Sequence, residues 1–181
     1  ISKDTILVST IYVNNEIGSI QDIPLISRII KNKNPNVLFH VDGVQAFGKY
    51  KIYPKREGID LFSISGHKIH GPKGIGALYI RDRVKVNPLI FGGGQEKAMR
   101  SGTENVPGIA GLGQAIKDIY KNHEEKQEAI YRIKEKFIQG INKLNDKIGD
   151  ISVNGLKDDL KETAPHIVSA SFKGVRSEVL L

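Results

Sequence analysis

Three apolar runs rich in β-branched residues are the feature that most restricts the folds open to this chain. They are Thr5 to Val13, Val37 to Val41 and Ile59 to Ile64. Between the first two, Ile23 to Lys33 carries isoleucines at helical spacing and stops at Asn34-Pro35, which predicts an amphipathic helix. Strand, helix and strand in this order predict a βαβ unit with a parallel strand pair and a right-handed crossover. The expected class is therefore α/β.

Each of these runs is followed by a cluster of polar side chains. The clusters are Asn14 with Asn15, Asp42 with Gln45, and Ser65 with His67 and Lys68. Ligands of open α/β sheets bind beyond the carboxyl ends of the strands. We therefore expect the three clusters to converge at one edge of the sheet and to form a single site there.

Lys68 is the strongest candidate for a catalytic residue. It follows the run Ile59 to Ile64 and precedes a turn punctuated by glycine and proline. A lysine at the end of a buried strand loses solvation, so its amine is more easily neutral and nucleophilic. Such an amine forms Schiff bases with carbonyl compounds, including pyridoxal phosphate (PLP). The alternative interpretation is a surface lysine in a basic loop.

Asp42 has two compatible interpretations. A carboxylate at the end of a strand pairs with the pyridinium nitrogen of PLP and keeps it protonated, so that the ring withdraws electrons from the substrate. The same aspartate is also expected to cap a helix that continues from Val44. Neither interpretation excludes the other.

Further strands are predicted after the lysine turn. Gly76 to Ile80 follows the turn so closely that it is expected to return antiparallel to Ile59–Ile64. Leu89 to Phe91 is expected to form another short strand before the loop Gly92-Gly93-Gly94.

The rest of the chain predicts a helical region and a small second domain. The helical pattern begins near Asn105-Val106-Pro107 and continues to Ile141, as one long helix or two abutting ones. Ile151–Val153 and Ile167–Phe172 are expected to be strands, and Ser177 is placed to cap a last helix. With a boundary near Tyr120, residues 1–120 form a large domain and residues 121–181 the linking helix and the start of a small α+β domain.

Composition excludes several classes of protein. The 181 residues include no cysteine, which excludes disulfides and thiolate metal sites, and the five histidines lack metal-binding spacing, so no metal site is expected. No run is apolar enough to span a bilayer. The net charge of +7 raises the possibility of nucleic-acid binding. However, glutamates alternate with the lysines between Lys121 and Lys147, which is typical of a solvated helix face, and no aromatic residues alternate with bases. We therefore expect neither a nucleic-acid nor a membrane partner.

With these residues in view, the chain resembles cysteine desulfurases of the class V aminotransferase group of PLP enzymes. The matching segments are Val13 to Gly18, His40-Val41-Asp42 with Gln45, Ser65 to Gly74, Gly92 to Glu96, and Arg100 to Asn105. They occur in the order of the family and at similar spacings. The last segment suggests the branch that serves nitrogenase and general iron–sulfur assembly. The resemblance implies PLP-dependent transferase fold type I, with part of the large domain in this chain.

The resemblance also implies a role for each matched residue. Lys68 would carry the cofactor as a Schiff base, Asp42 would pair with the pyridine nitrogen, and Gln45 would hydrogen-bond the phenolic oxygen. Asn14 would contact cofactor or substrate near that oxygen, while Ser65 and His67 would bind the phosphate. Thr103 would reach the phosphate of the neighbouring subunit, which implies a homodimer. No firm role follows for Asn15, His70, Gln95 and Arg100, whose alternative interpretation is loop architecture.

The reaction implied is the conversion of L-cysteine to L-alanine, with the sulfur passing to a cysteine thiolate and then to an acceptor or scaffold protein. That thiolate lies, in relatives, beyond the segment that Val175 to Leu181 resembles. We expect the chain to be an inactive fragment of a larger, cytoplasmic enzyme. It has no cysteine, lacks the front part of the family and starts at Ile1. The alternatives are a related PLP lyase, such as a selenocysteine lyase, and a non-catalytic interaction module with this fold.

Overall fold

A computed structural model describes residues 1–155 and 159–180 of the chain. The chain divides into two compact units, one formed by Ile1–Thr10 with Asp22–Lys121 and the other by Ile11–Gln21 with Asn122–Leu181. Leu181, the last residue of the predicted segment Val175 to Leu181, lies outside the described residues.

The first unit contains a four-stranded sheet in which the strand order follows the sequence. The strands are β1 (Leu7–Ile11), β2 (Leu38–Asp42), β3 (Leu61–Ser65) and β4 (Gly76–Ile80). β2 and β3 are parallel, whereas β3 and β4 are antiparallel, which confirms the α/β class and the predicted return after the lysine turn. β1 is the hydrogen-bonded neighbour of β2; a parallel direction and a right-handed crossover for this pair stay predictions.

The predicted first helix has the expected bounds, because its sequence specifies both ends. In α1 (Ile23–Lys33), the Asp22 carboxylate accepts a hydrogen bond from the Leu25 N–H, and Pro24 occupies the first turn. At the other end, the Asn34 N–H donates to the Ile30 carbonyl. The helix buries Ile23, Ser27 and Ile30, so its apolar stripe forms part of the core of this unit.

A buried carboxylate connects the helix to three parts of the sheet. Asp60 is fully buried just before β3. Its Oδ2 accepts a hydrogen bond from the Phe39 N–H of β2 at 2.8 Å and lies 2.7 Å from the Lys31 Nζ of α1. Its Oδ1 lies 2.7 Å from the Arg81 Nη2, directly after β4. A charge without solvent is tolerated only when it is paired in this way.

The predicted strand at Leu89–Phe91 is wrong. These residues form a bend and an extended segment, and their side chains are 93%, 53% and 80% exposed. A strand requires a neighbour to satisfy its backbone, and no strand of the described sheet pairs with this run. The first strand is also shorter than the predicted Thr5 to Val13.

The predicted helical region consists of two helices. In α2 (Val106–Tyr120), the Asn105 side chain accepts a hydrogen bond from the Gly108 N–H at 3.1 Å, which caps the first turn. The second, α3 (His123–Ile148), follows a break at Asn122, whose φ of 53° is left-handed. A left-handed residue interrupts a right-handed helix, so the second of the two predicted alternatives is observed.

The second unit contains α3 and a small sheet. Its strands, β5 (Ile151–Asn154) and β6 (Ser169–Phe172), form an antiparallel pair, and a short helix, α4 (Ser177–Leu180), follows. A boundary near Tyr120 would place the segment Ile11–Gln21 in the first unit. The segment belongs to the second unit instead. The physical reason is direct pairing, because the Ala164 N–H donates to the Gly18 carbonyl at 2.7 Å.

A buried lysine holds α3 in the second unit. Lys134 is 5% exposed, and its Nζ donates to the Thr163 Oγ1 and to the Ala164 carbonyl, both at 2.7 Å. Burial lowers the pKa of Lys134. The Tyr131 hydroxyl donates to the Thr163 carbonyl at 3.1 Å.

Within residues 1–155 and 159–180, no helix is both long and apolar enough to cross a membrane.

The central role of Asp60 gives a first prediction. Asp60→Asn should lower the free energy of unfolding by about 3 kcal/mol, because it removes the charge that compensates Lys31 and Arg81. Urea unfolding of the chain measures this change.

The matched control for that variant is Asp82→Asn. Asp82 is 96% exposed and lies 3.8 Å from Arg83. Its loss should change stability by less than about 0.5 kcal/mol. Equal effects of the two substitutions would show that Asp60 does not organise the sheet.

Candidate active site

The carboxyl end of β2 places Asp42 at the edge of the sheet, where it is half-buried. Its Oδ1 accepts a hydrogen bond from the Val44 N–H at 2.9 Å, and its Oδ2 has no hydrogen-bond partner among the described residues. The predicted helix from Val44 is wrong, because the Ala46 and Phe47 N–H groups both turn back to the Gly43 carbonyl. Asp42 therefore caps a turn and keeps one carboxylate oxygen available to a ligand.

Gly43 fixes the position of this turn against β3. A Cβ at Gly43 would lie 1.9 Å from the ring of Phe62, so a side chain cannot be accommodated unless the buried Phe62 ring moves. The Gly43 N–H donates to the Ser63 carbonyl at 2.9 Å. Both contacts keep Asp42 directly beside the last residues of β3.

β3 ends at Ser65 and continues without a break into the 3₁₀ turn Gly66–Ile69, which contains the candidate lysine. The Ser65 Oγ and the His67 Nδ1 are hydrogen-bonded at 2.7 Å. The Gly66 N–H donates to the Ile75 carbonyl at 2.9 Å, at the start of the return to β4. A hydroxyl and an imidazole are thereby held together at the strand end.

Lys68 is exposed on this turn. The expectation that its amine loses solvation at the end of a buried strand is therefore wrong for the described residues. The physical reason is that the 3₁₀ turn leads the chain out of the sheet before Lys68, so that the buried residue of the turn is its neighbour Ile69, which is 1% exposed. The amine is accessible to an incoming ligand.

The strand register and the turn after β3 bring four of the predicted residues to one edge of the sheet. Asp42 is opposite Ser63 in the parallel pair of β2 and β3. Ser65 follows two residues later on the same face, and adjacent strands lie about 4.8 Å apart. The turn with His67 and Lys68 starts at the next residue. The carboxylate, the hydroxyl, the imidazole and the amine therefore arise from neighbouring strand ends.

Helix α2 supports this turn from the core. Ile69 packs against the buried Leu112 and Ala115 of α2. The Tyr120 hydroxyl donates to the Tyr50 carbonyl and accepts from the Gly48 N–H, both at 3.1 Å, so the loop after Asp42 is fixed to the same helix. Burial raises the pKa of this phenol.

The other predicted site residues lie in loops. Gln45 is half-buried in the turn after Asp42, in the first unit. Asn14 belongs to the second unit, where its Oδ1 accepts hydrogen bonds from the Glu16 N–H at 2.9 Å and the Ile17 N–H at 3.0 Å. Thr103 is exposed in the loop before α2. The roles of these three residues stay predictions.

Among Asn15, His70, Gln95 and Arg100, for which no firm role was predicted, Gln95 and His70 have a visible structural role. The Gln95 Oε1 accepts a hydrogen bond from the Gly102 N–H at 3.2 Å and holds the loop that carries Thr103. His70 ends the lysine turn in a left-handed conformation, with φ of 65°. Arg100 and Asn15 are also in loops. No group of three or more metal-binding side chains occurs in the part of the chain that the structure describes.

A second lysine, which was not predicted to belong to the site, lies behind the turn. Lys49 is only 9% exposed, and its Nζ lies 3.5 Å from the Lys68 carbonyl, a long hydrogen bond. Burial lowers the pKa of Lys49. Its place in the largely apolar run Ala46-Phe47-Gly48-Lys49-Tyr50 is compatible with burial, but the run does not show which group the lysine contacts.

The chain resembles known proteins along its whole length. The family described as aminotransferase class V matches residues 1–181. The chain is similar to the cysteine desulfurase IscS of Clostridium botulinum strain Hall, with 45% identity over all 181 residues, which cover 44% of that protein. It is also similar to the putative cysteine desulfurase IscS 1 of Bacillus subtilis, with 46% identity over 98% of the chain and 45% of that protein.

A solved structure described as a NifS-like protein has a TM-score of 0.91 at 38% identity, over 99% of this chain and 47% of its own. The chain thus spans less than half the length of these proteins.

The buried Lys49 gives a prediction about pH. Its pKa lies below the ordinary value of 10.5 in the folded chain, so the unfolded chain binds more protons between the lowered pKa and 10.5. Stability should therefore rise with pH across this window. Lys49→Met should stabilise the chain near pH 7, where the charged amine is buried at a cost, and should reduce that rise. Urea unfolding at a series of pH values measures both effects.

The control for this prediction is Lys55→Met, which removes an exposed lysine. This variant should leave the pH dependence of unfolding unchanged. Destabilisation by Lys49→Met at pH 7, with an unchanged alkaline rise, would mean that the amine contributes more through its contact with the turn than its burial costs.

Proposed function

The chain belongs to the class V aminotransferase family and has its PLP-dependent transferase fold type I, and from this premise we propose that the full-length protein is a PLP-dependent cysteine desulfurase. The observation that carries the proposal is the arrival of Asp42, Ser65, His67 and Lys68 at one edge of the sheet on neighbouring strand ends. Cysteine desulfurases at about 45% identity set the expected substrate.

The donor set at this edge fits PLP. Asp42 has a free carboxylate oxygen for a protonated ring nitrogen, the Ser65 and His67 pair offers a hydroxyl and an imidazole for a phosphate, and Lys68 offers an accessible amine. Gln45 would bind the phenolic oxygen, and Asn14 the cofactor or substrate near it. When bound, PLP supplies an electron sink for the substrate α-carbon.

The residues of this chain would then divide the work of binding and proton transfer. Lys68 would hold the cofactor covalently, yield it to the amine of L-cysteine, and move a proton at the substrate α-carbon. Asp42 would keep the ring nitrogen protonated throughout. Ser65 and His67 would hold the phosphate, which fixes the ring while the covalent bond to Lys68 is exchanged.

The sulfur leaves through a thiolate that these residues do not include, since the chain contains no cysteine. The Cβ–S bond of L-cysteine breaks, an S–S bond forms between its sulfur and that thiolate, and Cβ gains the proton that the substrate thiol loses, so that L-alanine and a persulfide result. The sulfur would pass to an acceptor or scaffold protein for iron–sulfur cluster assembly, and the expected compartment is the cytoplasm.

A homodimer is part of the proposal. Thr103 is exposed on a loop that is held by three contacts, from the Gly102 N–H to Gln95, from the Ser101 Oγ to the Gly93 carbonyl at 2.8 Å, and from the Ser101 N–H to the Ile90 carbonyl at 3.1 Å. A fixed loop with an exposed hydroxyl suits a contact to the phosphate bound by a second copy.

The role of Lys68 gives a spectroscopic prediction. Lys68→Ala in the full-length protein should abolish the cofactor absorbance at about 420 nm that a lysine-linked PLP produces. Production of alanine from L-cysteine should be lost with it. Absorbance spectra and alanine assays, with L-selenocysteine as a second substrate, are the measurements.

Lys73→Ala is the control, because Lys73 is an exposed lysine five residues further on. It should keep the absorbance band and the covalent link. A Lys68→Ala protein that retains the band would remove Lys68 from its proposed role, and faster turnover of selenocysteine than of cysteine would change the proposed substrate.

A further inference from the structure

A chain of three polar side chains crosses the sheet just below the candidate site. The imidazole of His40 in β2 lies between two hydroxyls, with its Nδ1 2.7 Å from the Ser9 Oγ of β1 and its Nε2 2.8 Å from the Ser63 Oγ of β3. Since a hydroxyl both donates and accepts, either tautomer of a neutral imidazole satisfies both contacts. One ring thus connects three adjacent strands.

The polar trio of Ser9, His40 and Ser63 lies on the same sheet face as the candidate site. Asp42 follows His40 by two residues, and side chains two residues apart share a face. Ser63 is opposite Asp42 in the register, and Ser65 follows Ser63 by two residues. The next positions on this face are apolar, namely Leu38, Leu61, Leu78 and Ile80. The polar trio is therefore an exception on this face and requires a reason.

The two hydrogen bonds of His40 are not equivalent. Ser9 is exposed, so water can replace the imidazole as its partner at little cost. Ser63 is half-buried, and its backbone carbonyl accepts the Gly43 N–H, the residue directly after Asp42. The Nε2 contact therefore reaches the residue that sets both Asp42 and Ser65, whereas the Nδ1 contact leads away from the site.

We propose that His40 is a positioning residue, which acts through Ser63 to hold Asp42 and Ser65 in the geometry that binds the ring nitrogen and the phosphate of the cofactor. This inference rests on the proposed PLP-dependent function. It assigns to the Nε2 contact a role in the site and to the Nδ1 contact only a role in joining β1 to β2.

The asymmetry allows matched variants that a general structural role does not distinguish. Ser63→Ala removes the partner on the site side, and Ser9→Ala removes the partner on the other side. His40→Gln places an amide group near the position of Nε2, and His40→Asn places one near the position of Nδ1. Ser63→Ala and His40→Asn form the pair that loses the hydrogen bond on the Nε2 side, and Ser9→Ala and His40→Gln form the pair that loses the one on the Nδ1 side.

The experiment uses the full-length protein, stripped of cofactor and titrated with PLP. Ser63→Ala and His40→Asn should raise the dissociation constant of PLP about tenfold, as expected for the loss of one hydrogen bond at the site. For Ser9→Ala and His40→Gln, the dissociation constant of PLP should stay within about twofold of the wild-type value. The hydrogen bond that these two variants lose leads away from the site. Thermal unfolding of the cofactor-free variants checks that all four are folded.

A second readout follows Asp42 directly. With PLP labelled with ¹⁵N in its ring, the wild type, Ser9→Ala and His40→Gln should show the chemical shift of a protonated nitrogen, whereas Ser63→Ala and His40→Asn should move toward the neutral value. Equal shifts and equal affinities in both pairs would overturn the inference while leaving the proposed function intact. A wild-type protein that binds no PLP would overturn both.

Discussion

The carboxylate of Asp60, buried between α1, β2 and β4, is the constraint on which the rest of the first unit depends. An isolated charge in such a place is very unfavourable, so the fold must bring Lys31, Arg81 and the Phe39 N–H to it at the same time. Those three groups come from the helix and from the strands on both sides of β3. These contacts fix the position of β3 in the sheet. They therefore also fix the point at which the residues at its far end, Ser65 to Lys68, leave the sheet.

Close packing then holds the strand ends and the turn after β3 in the arrangement that forms the candidate site. Gly43 touches the ring of Phe62, so β2 and β3 end side by side. Ile69 packs on Leu112 and Ala115, which fixes the turn after β3 against α2. The functional side chains are thus on short turns that are held from the core by apolar contacts and from the sheet by backbone hydrogen bonds. This arrangement gives a defined geometry to groups that remain open to a ligand, as binding requires.

Much of this was predictable from the sequence, and the reasons are local. The bounds of α1 are specified by Asp22, Pro24 and the Asn34-Pro35 stop, and β4 by its short distance from β3. The failures concern tertiary context. Leu89–Phe91 has the composition of a strand but no partner, and Lys68 leaves the sheet before burial affects it. Asp60, Lys49 and the His40 contacts were not predictable, because their partners are 19 to 31 residues away in the sequence. A single sequence shows periodicity and caps, but it does not show which distant side chains meet.

The proposed function requires that a single amine, at the end of β3, carries the cofactor. Reduction of the full-length holoprotein with borohydride, followed by proteolysis and mass spectrometry, tests it most directly, because reduction fixes the label to the amine that holds it. We expect a phosphopyridoxyl label on Lys68 and none on the buried Lys49 or the exposed Lys73. A label on any other lysine would contradict it.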